Sequence, residues 1–287
     1  MATFRKVTNI KQLQRIANHV RQDIIASVSQ AGSGHPGGSL GMTDIFTALY
    51  FNILKHNPKN PDWKERDILI LSNGHICPVR YATMANAGYF PRKELLTFRK
   101  LGTRLQGHPH KSALPGLETT SGPLGSGLSQ AAGMALVLKQ EKRKNKIYCL
   151  VSDGEQDCGQ NWEAVMLIAK YRLNNIIAMM DRNNIQIDGT TQDIMPLNPL
   201  KEKYESFGWK VLEIDAHNFK EIITSIKKAK RFQFREKKPV IIIAHSILGK
   251  GVSFMENKYE WHGKAPNQEE TTKALQELEK ERKKLSR

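Results

Sequence analysis

This sequence predicts a doubly wound α/β fold, a mostly parallel sheet with helices on both faces, and three observations lead there. Apolar runs the length of one strand recur at residues 68–71, 147–151, 176–180, 211–214 and 240–244. Segments with helical spacing of apolar residues lie between them. Strands alternating with helices pair in parallel through crossovers, and such a sheet is covered on both faces.

In chain order, the first sixty residues read as an N-terminal helix, a glycine-rich loop over 32–41 and a second helix over 43–54. After the strand at 68–71, the next clear helix is 125–138, which puts Leu128, Ala131, Ala132, Ala135 and Leu136 on one face. The strand at 147–151 stops at Asp153-Gly154, a helix follows at 162–171, and the strand at 176–180 runs into Asp181-Arg182-Asn183-Asn184. Strand 211–214, helix 219–232 and strand 240–244 complete the sheet, and residues 268–285 form a polar amphipathic helix. No stretch has linker composition, so residues 1–287 are expected to form one domain with a C-terminal helix.

Composition narrows the class. With 39% hydrophobic and 25% charged residues the chain can bury a core, and it contains no repeat or low-complexity tract. Apolar runs such as 240–244 are far too short to span a bilayer, and residues 1–7 lack the apolar stretch of a signal peptide. Cys77, Cys149 and Cys158 form no C-x-x-C, which argues against a disulfide scaffold or a zinc site and fits a reducing cytoplasm. The net charge of +16 would by itself point to nucleic acid. Its basic stretches, 139–146, 227–238 and 280–287, are instead interspersed with acids and almost without aromatic platforms, and so read as solvated helix faces.

Four constellations could carry chemistry. Asp153 ends a strand, the edge of a doubly wound sheet where ligands bind, and the next segment opens a helix whose N-terminus favours anions. If the strand at 176–180 is its neighbour, Asn183 comes to the same edge, and the two oxygens suit a hard cation such as Mg²⁺. Asp-Gly and Asn-Asn are also ordinary turn sequences. Four histidines, His35, His75, His108 and His262, sit in glycine-rich loops, where the backbone can approach a ligand and imidazole can exchange protons. His19, His56, His110, His217 and His245 lack that context and read as structural or solvent-facing; His56, in a polar turn at 55–58, should tolerate alanine. The loop 119–127 repeats glycine before a small-residue helix, a pattern that also serves merely to start a helix. The Gly249-Lys250-Gly251 segment lacks the spacing of a phosphate loop.

Together the segments SGHPGGSLG, RD…LSNGH, LQGHP, LPGLETTSGPLGSGLSQAAGMA, SDGE…WEA, DRNNIQIDG and GKGVSFMENKYEWHGKAP resemble the N-terminal, diphosphate-binding half of the transketolase family of thiamine diphosphate enzymes. The resemblance implies that Asp153, the Asn183 side chain and the Ile185 carbonyl hold Mg²⁺ on the cofactor's diphosphate, with Ca²⁺ or Mn²⁺ as substitutes. Gly154 would lie against the diphosphate and Ile187 against the rings, while the backbone of Gly122, Pro123 and Leu124 meets the aminopyrimidine. His75 and His262 would reach the cofactor, and His35, His108 and His262 the sugar's hydroxyls. The implied activity is transfer of a two-carbon ketol unit from a ketose phosphate to an aldose phosphate. In the family, a second domain supplies a glutamate for the pyrimidine ring and most of the phosphate-binding residues. The resemblance therefore implies a partner, a C-terminal subunit carrying the pyrimidine-binding domain, with two copies of each chain.

Some positions depart from the family pattern. Ser152 replaces the usual glycine before Asp153, Asn73 a common lysine, and His110 a usual acid. Cys158 stands where the family has a glutamate of an acidic network linking paired active sites, although Glu163 is present. Three other functions compete: another thiamine diphosphate enzyme (a 1-deoxyxylulose 5-phosphate synthase or a 2-oxo acid dehydrogenase), a basic nucleic-acid-binding protein, and a cofactor-binding scaffold without chemistry. The GHPH, WHG and FMEN segments favour sugar transfer.

Overall fold

The computed structural model describes residues 6–286. Its centre is a five-stranded, all-parallel sheet of β1 (Ile68–Leu71), β2 (Ile147–Ser152), β3 (Ile176–Arg182), β6 (Lys210–Asp215) and β7 (Val240–His245), in the order β1-β2-β3-β7-β6. Two further strands, β4 (Ile185–Gln186) and β5 (Gly189–Thr190), form a small antiparallel hairpin after β3. All five apolar runs form strands. Side chains alternate between two cores along them: Leu69, Leu71, Tyr148 and Leu150 face one layer, and Ile70, Ile147, Cys149 and Val151 the other.

The first layer holds α1 (Ile10–Ala31), α2 (Pro36–Gly41), α3 (Thr43–Ala48), α4 (Cys77–Asn86), α9 (Phe219–Glu236) and α10 (Gln268–Ser286). The second holds α5 (Ser126–Gln140), α6 (Gly159–Lys170) and α8 (Leu200–Ser206); a single turn, α7 (Thr191–Ile194), follows the hairpin. Chain ends meet in the first layer, where Asn18 of α1 donates to the Leu278 carbonyl of α10 at 2.9 Å and Arg15 to that of Leu285 at 2.8 Å.

The structure corrects the sequence reading in several places. The expected loop over 32–41 contains α2, which starts at Pro36 and needs its glycines for packing. A Cβ on Gly37 would stand 2.7 Å from the Leu248 side chain and 2.8 Å from the Trp261 carbonyl. The second helix passes from α3 into a π-helical turn, Leu49–Ile53. Helix α4 escaped notice because nine of its ten residues are buried, so it carries no amphipathic stripe. Nor is every basic residue on a solvated face. Lys146 is held at 2.8 Å from Gln233, and burial pushes its pKa down to about 8.

His56 is the plainest correction. It is 3% exposed, with Nε2 2.7 Å from the Tyr50 carbonyl and Nδ1 3.0 Å from the Tyr89 hydroxyl, and its ring stacks on that of Tyr89. Nε2 therefore donates and Nδ1 accepts. His56→Ala orphans both partners in the interior, and should cost about 1–3 kcal/mol. A urea titration should show that loss, against a change within about 0.5 kcal/mol for His19→Ala on the exposed face of α1.

Candidate functional site

Parallel strands deliver their C-terminal ends to one edge, and a cavity of about 370 Å³ opens there. Its floor comes from β2 and β3, which are neighbours in register Ser152↔Asp181, so Asp153 and the 181–185 segment meet as expected. Asp153, 1% exposed, accepts from the amides of Gly154 at 2.9 Å and Asn184 at 2.8 Å, and lies 3.3 Å from Arg182 Nη1. Asn183 accepts from the Ile185 amide at 2.9 Å and donates at 3.1 Å to Asp181, a carboxylate the sequence reading left without a role. Ser246, just past β7, donates to the other oxygen of Asp181.

Two carboxylates buried side by side are short of positive charge. Burial pushes Asp153 up to about 6 and Asp181 up to about 7, the latter raised further by the charge of Asp153. Among the described residues no three His, Cys, Asp or Glu side chains converge as a metal cage. The donors are a carboxylate, a side-chain amide and backbone carbonyls, a sparse oxygen set that fits Mg²⁺ with phosphate and water completing its shell.

The rim is imidazole. His35 caps α2, His75 lies in the turn Gly74–Ile76 after β1, and His262 follows the turn Tyr259–Trp261. Their ring centroids are 5.1 Å (His35–His75), 5.5 Å (His35–His262) and 5.2 Å (His75–His262) apart. Both His35 and His262 line the cavity, and Nδ1 of each is buried without a hydrogen-bond partner. Burial, then the neighbouring charge of His262, lowers His35 to about 4 and takes His75 well below its ordinary value. Burial lowers His262 as well, and burial followed by Arg99 lowers His108. At neutral pH the rim is uncharged.

Apolar side chains stand at the mouth: Leu124, Ile187 and Ile194 are 37, 68 and 46% exposed, beside Gly122. Thus His35, His75, His108, His262, Gly122, Leu124, Asp153, Gly154, Asn183, Ile185 and Ile187 line one cavity, whereas Pro123 is exposed and outside the lining. Cys158 is outside it too, at the N-cap of α6, and Glu163 is exposed on that helix.

A single side chain fixes this wall. Glu155, fully buried, accepts from the amides of Ser152 at 2.8 Å and Gly125 at 2.7 Å and from the Ser72 hydroxyl. Ser72 in turn accepts from the Gly127 amide at 3.0 Å. A roomier cavity of about 490 Å³ lies between α1 and α10, where Arg21 and His217 both bond the Asp44 carboxylate.

Residues 12–285 match the family model described as the transketolase, thiamine diphosphate binding domain. The chain belongs to this transketolase family. It is 44% identical to the 6-deoxy-6-sulfo-D-fructose transketolase subunit SqwG of Clostridium sp. (strain MSTE9), covering 94% of this chain and 97% of that one. It is 38% identical to an apulose-4-phosphate transketolase subunit of Actinobacillus succinogenes, with the same coverage of 94% and 97%. Among solved structures, the transketolase of Campylobacter jejuni superimposes with a TM-score of 0.84 at 32% identity, over 97% of this chain and 48% of that one. This transketolase-family chain likewise spans only 42% of the Homo sapiens transketolase.

The neutral rim makes a prediction about pH. His35 titrates near 4 when folded and near 6.5 when free, so acid protonates the unfolded chain first. Stability should fall as pH drops from 6.5 towards 4, and the loss is complete below that. Urea midpoints measured across this range should fall less steeply for His35→Gln than for the native chain.

Proposed function

We propose that this chain is the diphosphate-binding subunit of a two-subunit transketolase, holding thiamine diphosphate and Mg²⁺ and moving a two-carbon ketol unit from a ketose phosphate to an aldose phosphate. The observation that carries the reading is the convergence of three neutral histidines, 5.1–5.5 Å apart, over a buried oxygen-donor floor in one cavity. Asp153, the Asn183 side-chain oxygen and the Ile185 carbonyl would hold the metal, with Gly154 beside the diphosphate. Ile187 and the backbone of Gly122, Pro123 and Leu124 would receive the rings. When bound, thiamine diphosphate supplies the electron sink for cleaving a carbon–carbon bond next to a ketose carbonyl.

The rest falls to side chains of this chain. His35 and His262 line the cavity, and their lowered pKa values leave each ring unprotonated at neutral pH, with a nitrogen lone pair that can accept a proton. His262, beside His35, is assigned the proton of the donor's C3 hydroxyl. His108 orients sugar hydroxyls from the next loop, and His75 faces the cofactor. The two subunit relatives are named for a sulfonated and a phosphorylated sugar, so the substrates are ketoses and aldoses ending in a strong oxyanion.

A partner subunit with the pyrimidine-binding domain is supported by the names of relatives that this chain covers at 97% of their length, and by its match to under half of full-length transketolases. A complex with two copies of each chain follows from active sites formed between subunits. A cytoplasmic setting is supported by free Cys77, Cys149 and Cys158. Among the described residues no helix is long and apolar enough to cross a membrane.

Three experiments test the reading. In the complex, Asp153→Ala should abolish Mg²⁺-dependent binding of thiamine diphosphate in calorimetric titrations with and without chelator; full affinity would remove Asp153 from the metal site. Purified alone, the chain should not transfer two-carbon units, and adding the partner should restore turnover. In that complex His262→Ala should slow single-turnover release of the aldose by about 10²- to 10⁴-fold while cofactor affinity persists. An unaltered rate, or a loss explained by absent cofactor, would end its assignment to proton transfer.

A further inference from the structure

The positive charge of this chain is concentrated. Stretches 139–146 and 227–238 together hold twelve Lys and Arg against two Glu, ten of the net sixteen charges. In sequence they are separate polar faces, and the fold joins them. The first runs into β2 and the second into β7, and because β2, β3 and β7 are parallel neighbours, both stretches finish at the same edge of the sheet, the one opposite the candidate site. Lys146 marks their contact: its Nζ donates to Gln233 of α9 at 2.8 Å, and burial first, then the charges of Lys230 and Lys237, lower its pKa.

Like charges gathered at one edge repel unless something offsets them. Helices α5, α6 and α9 all end there, and a cation close to the last carbonyls is favourable by about 0.3–1 kcal/mol. A cation or two at each helix end would meet that need. Carboxylates do not account for the rest. Lys227, Lys228, Arg231, Arg235, Lys237 and Lys238 are exposed, and among the described residues none of them has an ion pair; the two acids face other cations, Glu236 with Lys210 at 3.5 Å and Glu141 with Arg143 at 3.6 Å. The third basic stretch, at the end of α10, differs. There Arg282 pairs with Glu279 at 2.6 Å and Lys284 with Glu281 at 3.3 Å, as on an ordinary solvated helix face.

An aromatic ring stands among the unpaired cations. Phe234 is 75% exposed, the one large apolar side chain that the two stretches leave in solvent, and Lys237 Nζ lies 4.9 Å from its ring centre. Phe232, two residues earlier, turns to the core instead.

We propose that this edge binds single-stranded RNA, its lysines and arginines taking backbone phosphates and Phe234 stacking on a base. The inference is independent of the catalytic reading. Lysine is a compact charge suited to phosphate contacts without sequence preference. An unpaired strand leaves base faces free to stack on an aromatic ring flanked by cations. A membrane surface fits less well, because one exposed ring offers little apolar area for insertion. Strand direction puts the bound strand away from the cavity, which stays open to its own ligands.

The test is fluorescence anisotropy of a labelled oligouridylate of about 15 nucleotides, titrated with the full chain between about 50 and 200 mM salt. Saturable binding is expected, weakening by about 0.7 log unit per log unit of salt for each phosphate contacted. Combined Lys227→Glu, Arg231→Glu and Lys238→Glu should lower the affinity at least tenfold and flatten the salt dependence. Phe234→Ala should lower it by about fivefold or more with the salt dependence unaltered, a loss that charge alone does not produce. The same charge change made by Lys93→Glu, Lys100→Glu and Lys111→Glu, in the segment that carries His108 to the cavity, should leave the affinity within about twofold, since distant charges are screened. All these side chains are exposed, so the variants keep the fold. No binding at about 100 mM salt, an equal loss from the second set of reversals, or unchanged affinity in Phe234→Ala would overturn the proposal. So would tighter, Phe234-dependent binding to phosphatidylglycerol vesicles, which would make the partner a membrane.

Discussion

The buried carboxylate of Glu155 joins three parts of the chain that backbone pairing leaves apart. Ser72 ends β1, Ser152 ends β2 and Gly125 opens α5, and each donates to it. The knot is tight enough to fix a sequence: a Cβ on Gly127 would lie 2.7 Å from the Cα of Ser72 and closer still to its side chain, so the helix can start there only with glycine. Burial raises the pKa of Glu155 while its donors pull it down. Remove the carboxylate, and two buried amides and a hydroxyl lose their acceptor at once. The loop that carries Gly122 and Leu124 to the cavity is anchored at this knot, and Asp153 sits two residues before it.

That anchorage allows an arrangement unfavourable to folding. The floor crowds Asp153 against Asp181, and among the described residues Arg182 is the cation in contact with Asp153. The rim gathers imidazoles whose protonation burial and mutual repulsion oppose. Neither layer would form from local preference. Both are held because the strands beneath are buried on two faces and the turns above are tied by Glu155 and by the close contact of α2 with the 248 and 261 segments. A site with one cation for two buried carboxylates at its floor, and unpartnered imidazole nitrogens at its rim, is suited to a ligand bringing both positive charge and polar groups.

Strands were legible in the sequence because a doubly covered strand is apolar on both faces, and runs such as 147–151 are too short for a helix that would bury as much. Asp153 and Asn183 were legible because strand ends mark the binding edge. Other features were hidden for physical reasons. Helix α4 has no exposed stripe to set its period, and α2 looks like a loop because its glycines serve packing rather than turning. His56 sits among polar residues in sequence, yet Tyr50, six residues before it, and Tyr89, 33 residues after it, close over it. Asp181 could have been found from its place at a strand end beside Asn183.

The pairing of α1 with α10 joins segments far apart in sequence, through contacts such as Asn18 to Leu278 and Arg15 to Leu285. On the ribosome, α1 is made long before its partner, their paired residues being 260 and 270 positions apart. At roughly 5–20 residues per second, the apolar side of α1 that meets Leu278 stays uncovered for on the order of ten seconds or longer. During synthesis this layer is therefore open to chaperones and to other nascent chains. Completion of α10 is the event that closes it.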